Sequence, residues 1–373
     1  MGQGTARPPF PPVLDLEILV FLTDRELTQP PANSSLSLIL FFPFLVSWQS
    51  EHTVSKPRYI FLDQNHWIYL AKAFWGQPHV AAHSAVAQDL LSRVDRDEVR
   101  LPLSVIHLIE HLRAEEPGRR ARLAEVFERF SCGWFVAAWS DILPAEISRA
   151  IAFTFCSTHL PPPPETFGRG FLFGVGPKAR SAFPPDWSDI DLKRLGWFAA
   201  QPGALFDLLT FRNEEGRVAQ KEDISEFASR NAQAAEALRA VRKPYAKLIQ
   251  TRAQLAGYTY DLQNQISPEL AQIGKTFEDF LRLGIDGLTE FFSRIPTLDV
   301  DCELTLYRDR QWSRRIQQND VNDIGHLVIA IPYCDAVVVE RFWARAIQET
   351  SLKEKYRTAV CADLTQLTEI MAG

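Results

Sequence analysis

The chain has 373 residues, 46% of them hydrophobic and 23% charged, with a formal net charge of −6. Such a composition excludes disorder throughout, and the negative balance excludes a nucleic-acid coat protein that binds through an all-over basic surface. Five cysteines in so long a chain, none spaced Cys-x-x-Cys, exclude a disulfide scaffold and fit a reducing, cytoplasmic compartment.

Residues 1–57 read apart from the rest. Their two apolar runs, "PPFPPVLDLEILVFL" and "SSLSLILFFPFLVSWQS", are broken or bounded by Pro11, Pro12, Thr23, Asp24, Pro30 and Pro31. Each falls short of the roughly 20 residues that span a bilayer. A signal peptide is not indicated either, because Arg7 stands alone ahead of Pro11, Pro12 and Asp15. The expectation is an appended segment outside the main fold, with a membrane-surface anchor and an extra hairpin as alternatives.

From Arg58 the pattern is an alternation of strands and helices. "RYIFLDQN" is a short apolar run ending in an acid and a polar turn, as in a buried parallel strand feeding a helix. "HWIYLAKAFWG" places Trp67, Leu70, Ala71 and Phe74 on one helical face, with Gly76 as the stop. A second helix is expected over Val80 to Val94, a second strand at "VRLPLS", a helix capped by Ser104, another from Arg119 to Phe130, and a third strand at "GWFVAAW". This is the alternation of a parallel sheet covered on both faces. Residues 58–156 form the first part of that unit.

Over residues 157–300 the alternation stops. Pro161 to Pro164 and the glycines of "GRGFLFGVGP" mark an irregular stretch, with neither the spacing of a dinucleotide fingerprint nor that of a P-loop. Asp223 to Leu255 reads as one or two long helices, part of a large, mostly helical insertion. Arg239, Arg242, Lys243 and Lys247 there are either a solvated face or a surface that tracks phosphates. Residues 301–373 resume the alternation: helices at "ELTLYRDRQWSRRIQ" and "NDVNDIGHLVIAIPYC", a strand at "AVVVE", a helix at "RFWARAIQETSLKEKY", a strand at "TAVCA" and a last helix begun by Asp363. The two α/β parts are expected to complete one sheet.

The acids fall at particular places in this plan. Asp63 ends the first strand, Glu110 lies in the helix after the second, Asp320 and Asp323 open a late helix, and Glu340 ends the next strand. In a parallel sheet these positions share the edge where ligands bind. Each acid alone reads as well as a helix cap or a dipole-favoured residue. Collected together they would repel one another unless a cation neutralised them, which points to Mg2+ or Mn2+. Asp335 begins the strand that Glu340 ends, so strand direction assigns Glu340, not Asp335, to the acidic edge.

Taken together, "YIFLDQNHWIYLA", "LPLSVIHLIEHLR" and "NDVNDIGHLVIAIPYCDAVVVE" resemble a PIN-like domain, the fold of many metal-dependent ribonucleases and toxin nucleases. The likeness covers about Arg58 to Phe155 and Leu304 to Met371. It implies a three-layer sandwich around a central parallel sheet, with Asp63, Glu110, Asp323 and Glu340 as the catalytic and metal-binding acids and Asp320 as a further ligand. The last place departs from the family pattern, which usually has aspartate after serine or threonine where this chain has "VVVE". Implied with the fold are phosphodiester hydrolysis in RNA and control by an antitoxin or defence-system protein. Asn65, His107, His326 and Asp335 are possible accessory residues, and the basic helix a possible RNA contact. Two rival readings stand beside this one. One is a non-catalytic PIN-like scaffold that binds RNA or protein, and the other is a phosphatase with Asp63 as nucleophile.

Overall fold

A computed structural model of the chain describes residues 56–112, 114–155, 160–176, 196–197, 199–210 and 214–372. The two apolar runs before residue 56 lie outside the described residues.

Strand β1 (Arg58–Leu62) passes through Asp63 directly into α1 (Gln64–Phe74), and Gly76 ends the helical run in the left-handed conformation (φ 66°) that glycine adopts without strain. The next expected helix is divided. Pro78 favours a tight 3-10 turn over Pro78–His83, and the α-helix proper is α2 (Ser84–Asp95). Then follow β2 (Val99–Arg100), α3 (Val105–Leu112), α4 (Pro117–Ser131), β3 (Trp134–Val136) and α5 (Trp139–Thr154). The irregular stretch contains β4 (Phe167–Arg169) and the short α6 (Phe171–Val175). The helical insertion supplies α7 (Ala204–Thr210), α8 (Glu214–Arg242), α9 (Lys247–Asp261), α10 (Gln263–Gln272), α11 (Phe277–Leu281) and α12 (Gly284–Ser293). The chain closes with α13 (Pro296–Arg310), α14 (Asn319–Tyr333), β5 (Ala336–Val338), α15 (Arg341–Glu349), α16 (Leu352–Tyr356), β6 (Ala359–Cys361), a 3-10 turn and α17 (Leu367–Ala372).

The protein is a mixed α/β chain with a central sheet of four parallel strands, ordered β2-β1-β5-β6. The two sequence-distant α/β parts meet at its centre, where Leu62 pairs with Val338. Alternation along the strands feeds both faces. Ile60, Leu62, Ala336 and Val338 pack among α1, α2 and α4, while Phe61, Val337 and Val339 pack among α13, α14 and α15. A one-residue slip would reverse every one of these side chains, so burial on both faces fixes the register.

Three expectations are corrected. "GWFVAAW" is not a further strand of the central sheet: β3 pairs antiparallel with β4 and touches the β2 segment only through a bridge from Leu103 to Phe135. The late helix α13 begins at Pro296, eight residues before Leu304, and stops at Arg310. Helix α8 is not a free basic face either. Arg242 is buried against Asp309 and Gln254, and Arg239 donates to the Gln311 and Arg314 carbonyls, so both tie the helix to α13 and the turn after it. Lys243 lies over the Trp312 ring and Lys247 is exposed.

The insertion is packed, not appended. Leu255, Tyr258, Leu262, Ile266, Leu270, Phe280, Phe291 and Phe292 bury against Ile147 and Ile151 of α5 and Leu298, Cys302 and Leu306 of α13. Helix α13 also carries Val300, Leu304 and Tyr307 into the sheet's own core, which explains why it is buried all round. Buried Glu146 of α5 accepts from the Thr297 amide, the Thr297 hydroxyl and the Tyr333 hydroxyl, joining α5, α13 and α14.

Candidate functional site

Strands β1 and β5 run side by side and in the same direction, so the residues that follow them emerge at one edge. The Asp63 amide donates to the Val338 carbonyl at 3.0 Å, which sets Asp63 beside the end of β5 and close to Glu340. Both acids lead into helices: Asp63 caps α1, its Oδ1 accepting from the His66 amide at 2.9 Å, and Glu340 is the residue before α15. The capping explanation of Asp63 is therefore true locally. It does not compete with a role at the edge, because only Oδ1 is used in the cap.

Glu110 and Asp323 arrive from α3 and α14. These helices approach closely at Gly325, where an added Cβ would meet Ile106 Cδ1 at 3.0 Å. That approach lets Asn322 donate to Glu110 Oε1 at 3.2 Å and brings His326 Nε2 within 4.0 Å of Glu110 Oε2. Asp323, one turn into α14, accepts from Trp343 Nε1 of α15 at 2.8 Å. Asn65 Nδ2 donates to Glu340 Oε1. Each of the four acids is thus oriented by a neighbour from the opposite element or by its own cap.

Their proximity shows in the electrostatics. Burial, with the charges of Glu110, Glu340 and Asp63, pushes the Asp323 carboxyl up to about 8, although the Trp343 bond acts the other way. Beside it, burial draws the His66 imidazole down, but the bond to Asp63 and its charge outweigh this and leave it above its ordinary value. No family model, curated protein or solved structure matches the chain. The arrangement of these side chains is therefore the ground for any reading of function. Among the described residues, no three His, Cys, Asp or Glu side chains already stand as a closed metal cage. What fits a divalent cation is the chemistry of the set: four oxygen donors crowded enough to hold one of them protonated near neutral pH.

Other expected residues are placed elsewhere. Asp320 is buried, with both oxygens held by the Arg314 guanidinium at 2.6 and 2.7 Å and one accepting the Gln317 amide, so it anchors the start of α14 and has no oxygen left free toward the acids. Asp335 is exposed at the opposite end of β5, where its Oδ2 accepts the Tyr59 amide at 2.7 Å. His107 is fully buried; its Nδ1 accepts the Ser104 amide and its Nε2 donates to the Leu62 carbonyl. Burial and the adjacent His326 hold it well below its ordinary range, as a neutral structural imidazole.

Several neighbours carried no signal in sequence. Arg314 lies in a turn six residues before Asp320, stacks over Phe342 and feels the charges of Asp323 and Glu340. Trp343 and Asn322 were unremarkable members of amphipathic helices. Only the i, i+3 spacing of Asn322 from Asn319 and of His326 from Asp323 was readable. No described helix is long and apolar enough to cross a membrane.

Proposed function

We propose that the chain is a PIN-like, metal-dependent nuclease that hydrolyses phosphodiester bonds, with RNA as the expected substrate. The observation that carries this reading is the convergence of Asp63, Glu110, Asp323 and Glu340, from four elements far apart in sequence, on the edge of the sheet where strands β1 and β5 end. Isolated caps have no reason to raise one another's proton affinity; a cation site gives that crowding a purpose.

Asp63, Glu110, Asp323 and Glu340 would hold one or two Mg2+ or Mn2+ ions, which supply Lewis acidity toward phosphorus and offset the substrate's charge. The residues of the chain do the rest. Trp343, Asn322 and Asn65 hold three of the carboxylates by one oxygen each, leaving the other turned to the shared space. Arg314, anchored on Asp320, keeps a fixed cation near the acids, suited to a phosphate oxygen. The phosphatase alternative is weakened by the two groups it would need most: Asp63 Oδ1 is committed to its cap, and Asn65 is committed to Glu340.

The test offers single-stranded RNA, single-stranded DNA and para-nitrophenyl phosphate to the purified full chain with Mn2+, with Mg2+ and with chelator. Ion-dependent cleavage of RNA supports the nuclease. Turnover of the aryl phosphate alone assigns a phosphatase, and RNA binding without cleavage assigns a scaffold.

A further inference from the structure

One buried polar atom in this region has no hydrogen-bond partner that explains it. The His326 side chain is only 3% exposed, and its Nε2 makes no hydrogen bond although it is enclosed by protein. A buried ring nitrogen without a partner costs about 1–3 kcal/mol, so its position asks for a ligand.

The neighbouring groups fix what that nitrogen presents. Both nitrogens of His107 are satisfied, because Nδ1 accepts the Ser104 amide and Nε2–H donates to Leu62. Ser104 Oγ stands 2.9 Å from His326 Nδ1 and 3.4 Å from His107 Nδ1. The arrangement that satisfies all three has His326 Nδ1–H donating to Ser104 Oγ while the serine hydroxyl hydrogen turns toward His107. His326 Nε2 then carries a lone pair, facing Glu110 Oε2 at 4.0 Å. Metal-bound histidines use the same device, the second ring nitrogen donating to an oxygen that holds the ring in place.

The gap itself discriminates between occupants. At 4.0 Å it is too long for a direct hydrogen bond. A bridging water, with two bonds of about 2.8 Å at a tetrahedral angle, would set the pair roughly 4.6 Å apart. Two bonds of about 2.1 Å to one ion separate their donors by at most about 4.2 Å.

We propose that His326 Nε2 and Glu110 Oε2 are ligands of one divalent ion beside Asp323, so that the site prefers a nitrogen-binding transition metal such as Mn2+ over Mg2+. The preference follows from the donor set: an imidazole adds affinity for first-row transition ions and little for magnesium, which favours oxygen and retains its waters. This inference rests on the proposed cation site and adds the identity of one ligand and the class of ion.

The full chain is titrated with Mn2+ and with Mg2+, following heat release and melting temperature, for the wild type and His326→Gln. Wild type should bind Mn2+ at least about tenfold more tightly than Mg2+, and the variant should lose about tenfold in Mn2+ affinity while its Mg2+ affinity changes much less. Electron spin-echo spectra of Mn2+ on the wild type should show coupling to a histidine nitrogen, a reading that needs no variant to fold. Tight ion binding with cleavage of RNA but no nitrogen coupling overturns the inference and leaves the nuclease reading standing. No ion binding and no cleavage overturns both.

Discussion

Replacing Asp323 with asparagine should stabilise the protein in the absence of divalent ions, even though it removes a residue from the proposed catalytic centre. Burial and three neighbouring carboxylates move the Asp323 carboxyl from an ordinary value of 3.8 to about 8. Because the folded state holds this proton more tightly than the unfolded chain, the associated stability is present below pH 3.8 and is lost as pH rises toward 8. At 1.36 kcal/mol per unit, a fully shielded carboxylate would cost up to about 5 kcal/mol at pH 8.5. Asp323 is partly exposed, and water screens much of that, so about 1–2 kcal/mol is the realistic gain. Asparagine keeps the shape and the oxygen that accepts from Trp343, so the packing of α14 on α15 survives. In a domain of this size the gain is about 2–6 °C in melting temperature. Scanning calorimetry in chelator at pH 8.5 and pH 5.5 checks it. The variant should melt higher at the alkaline pH, the advantage should shrink at the acidic one, and added Mn2+ should reverse the order by stabilising only the wild type. A variant no more stable than wild type at pH 8.5 would refute the crowding of the acids.

Other outcomes follow from the same geometry. Glu340→Gln should lower RNA turnover by at least about tenfold, roughly 1.4 kcal/mol of transition-state stabilisation, with its melting temperature nearly unchanged. Asp335→Asn at the far end of β5 should leave turnover intact and cost about 1 kcal/mol of stability in urea titrations, through the bond to the Tyr59 amide. His111 is buried and neutral, its imidazole drawn down to about 4 mainly by burial. Its contribution to stability is complete above pH 6.5 and falls as pH drops toward 4, by up to about 3 kcal/mol; denaturant titrations across that range should show the slope, and His111→Leu should flatten it. Arg242→Met should destabilise the fold by about 2 kcal/mol, less than for a fully orphaned charge because Arg308 still pairs with Asp309. An unchanged salt dependence of RNA binding in that variant separates this structural role from phosphate contact.

How far the sequence reveals this arrangement differs from element to element. Strand β1, helix α1 and strand β5 carry their own evidence in short apolar runs, an acid at the strand end and a glycine stop, so the edge holding Asp63 and Glu340 is readable residue by residue. Glu110 and Asp323 are readable as acids on helices, but nothing local reveals that Gly325 lets those helices approach. The pairing of β3 with β4 is hidden because a three-residue strand among glycines has no alternation to detect. The start of α13 is hidden for the opposite reason: buried on all sides between two cores, it has no polar face to mark its period. Arg242 and Asp320 mislead because their partners, Asp309 and Arg314, lie in other elements or turns, and a charge looks solvated until its partner is found. His326 gains its meaning only from contacts, since its unpartnered nitrogen is a property of the fold.

The most direct test of the central claim is the cleavage of an end-labelled single-stranded RNA by wild type and by Asp323→Asn, at equal concentrations, in Mn2+ and in chelator. The account expects cleavage by the wild type with Mn2+, none in chelator, and a loss of at least about a hundredfold in the variant, some 2.7 kcal/mol, while the variant remains folded. Cleavage that persists in chelator, or a fully active Asp323→Asn protein, would contradict it.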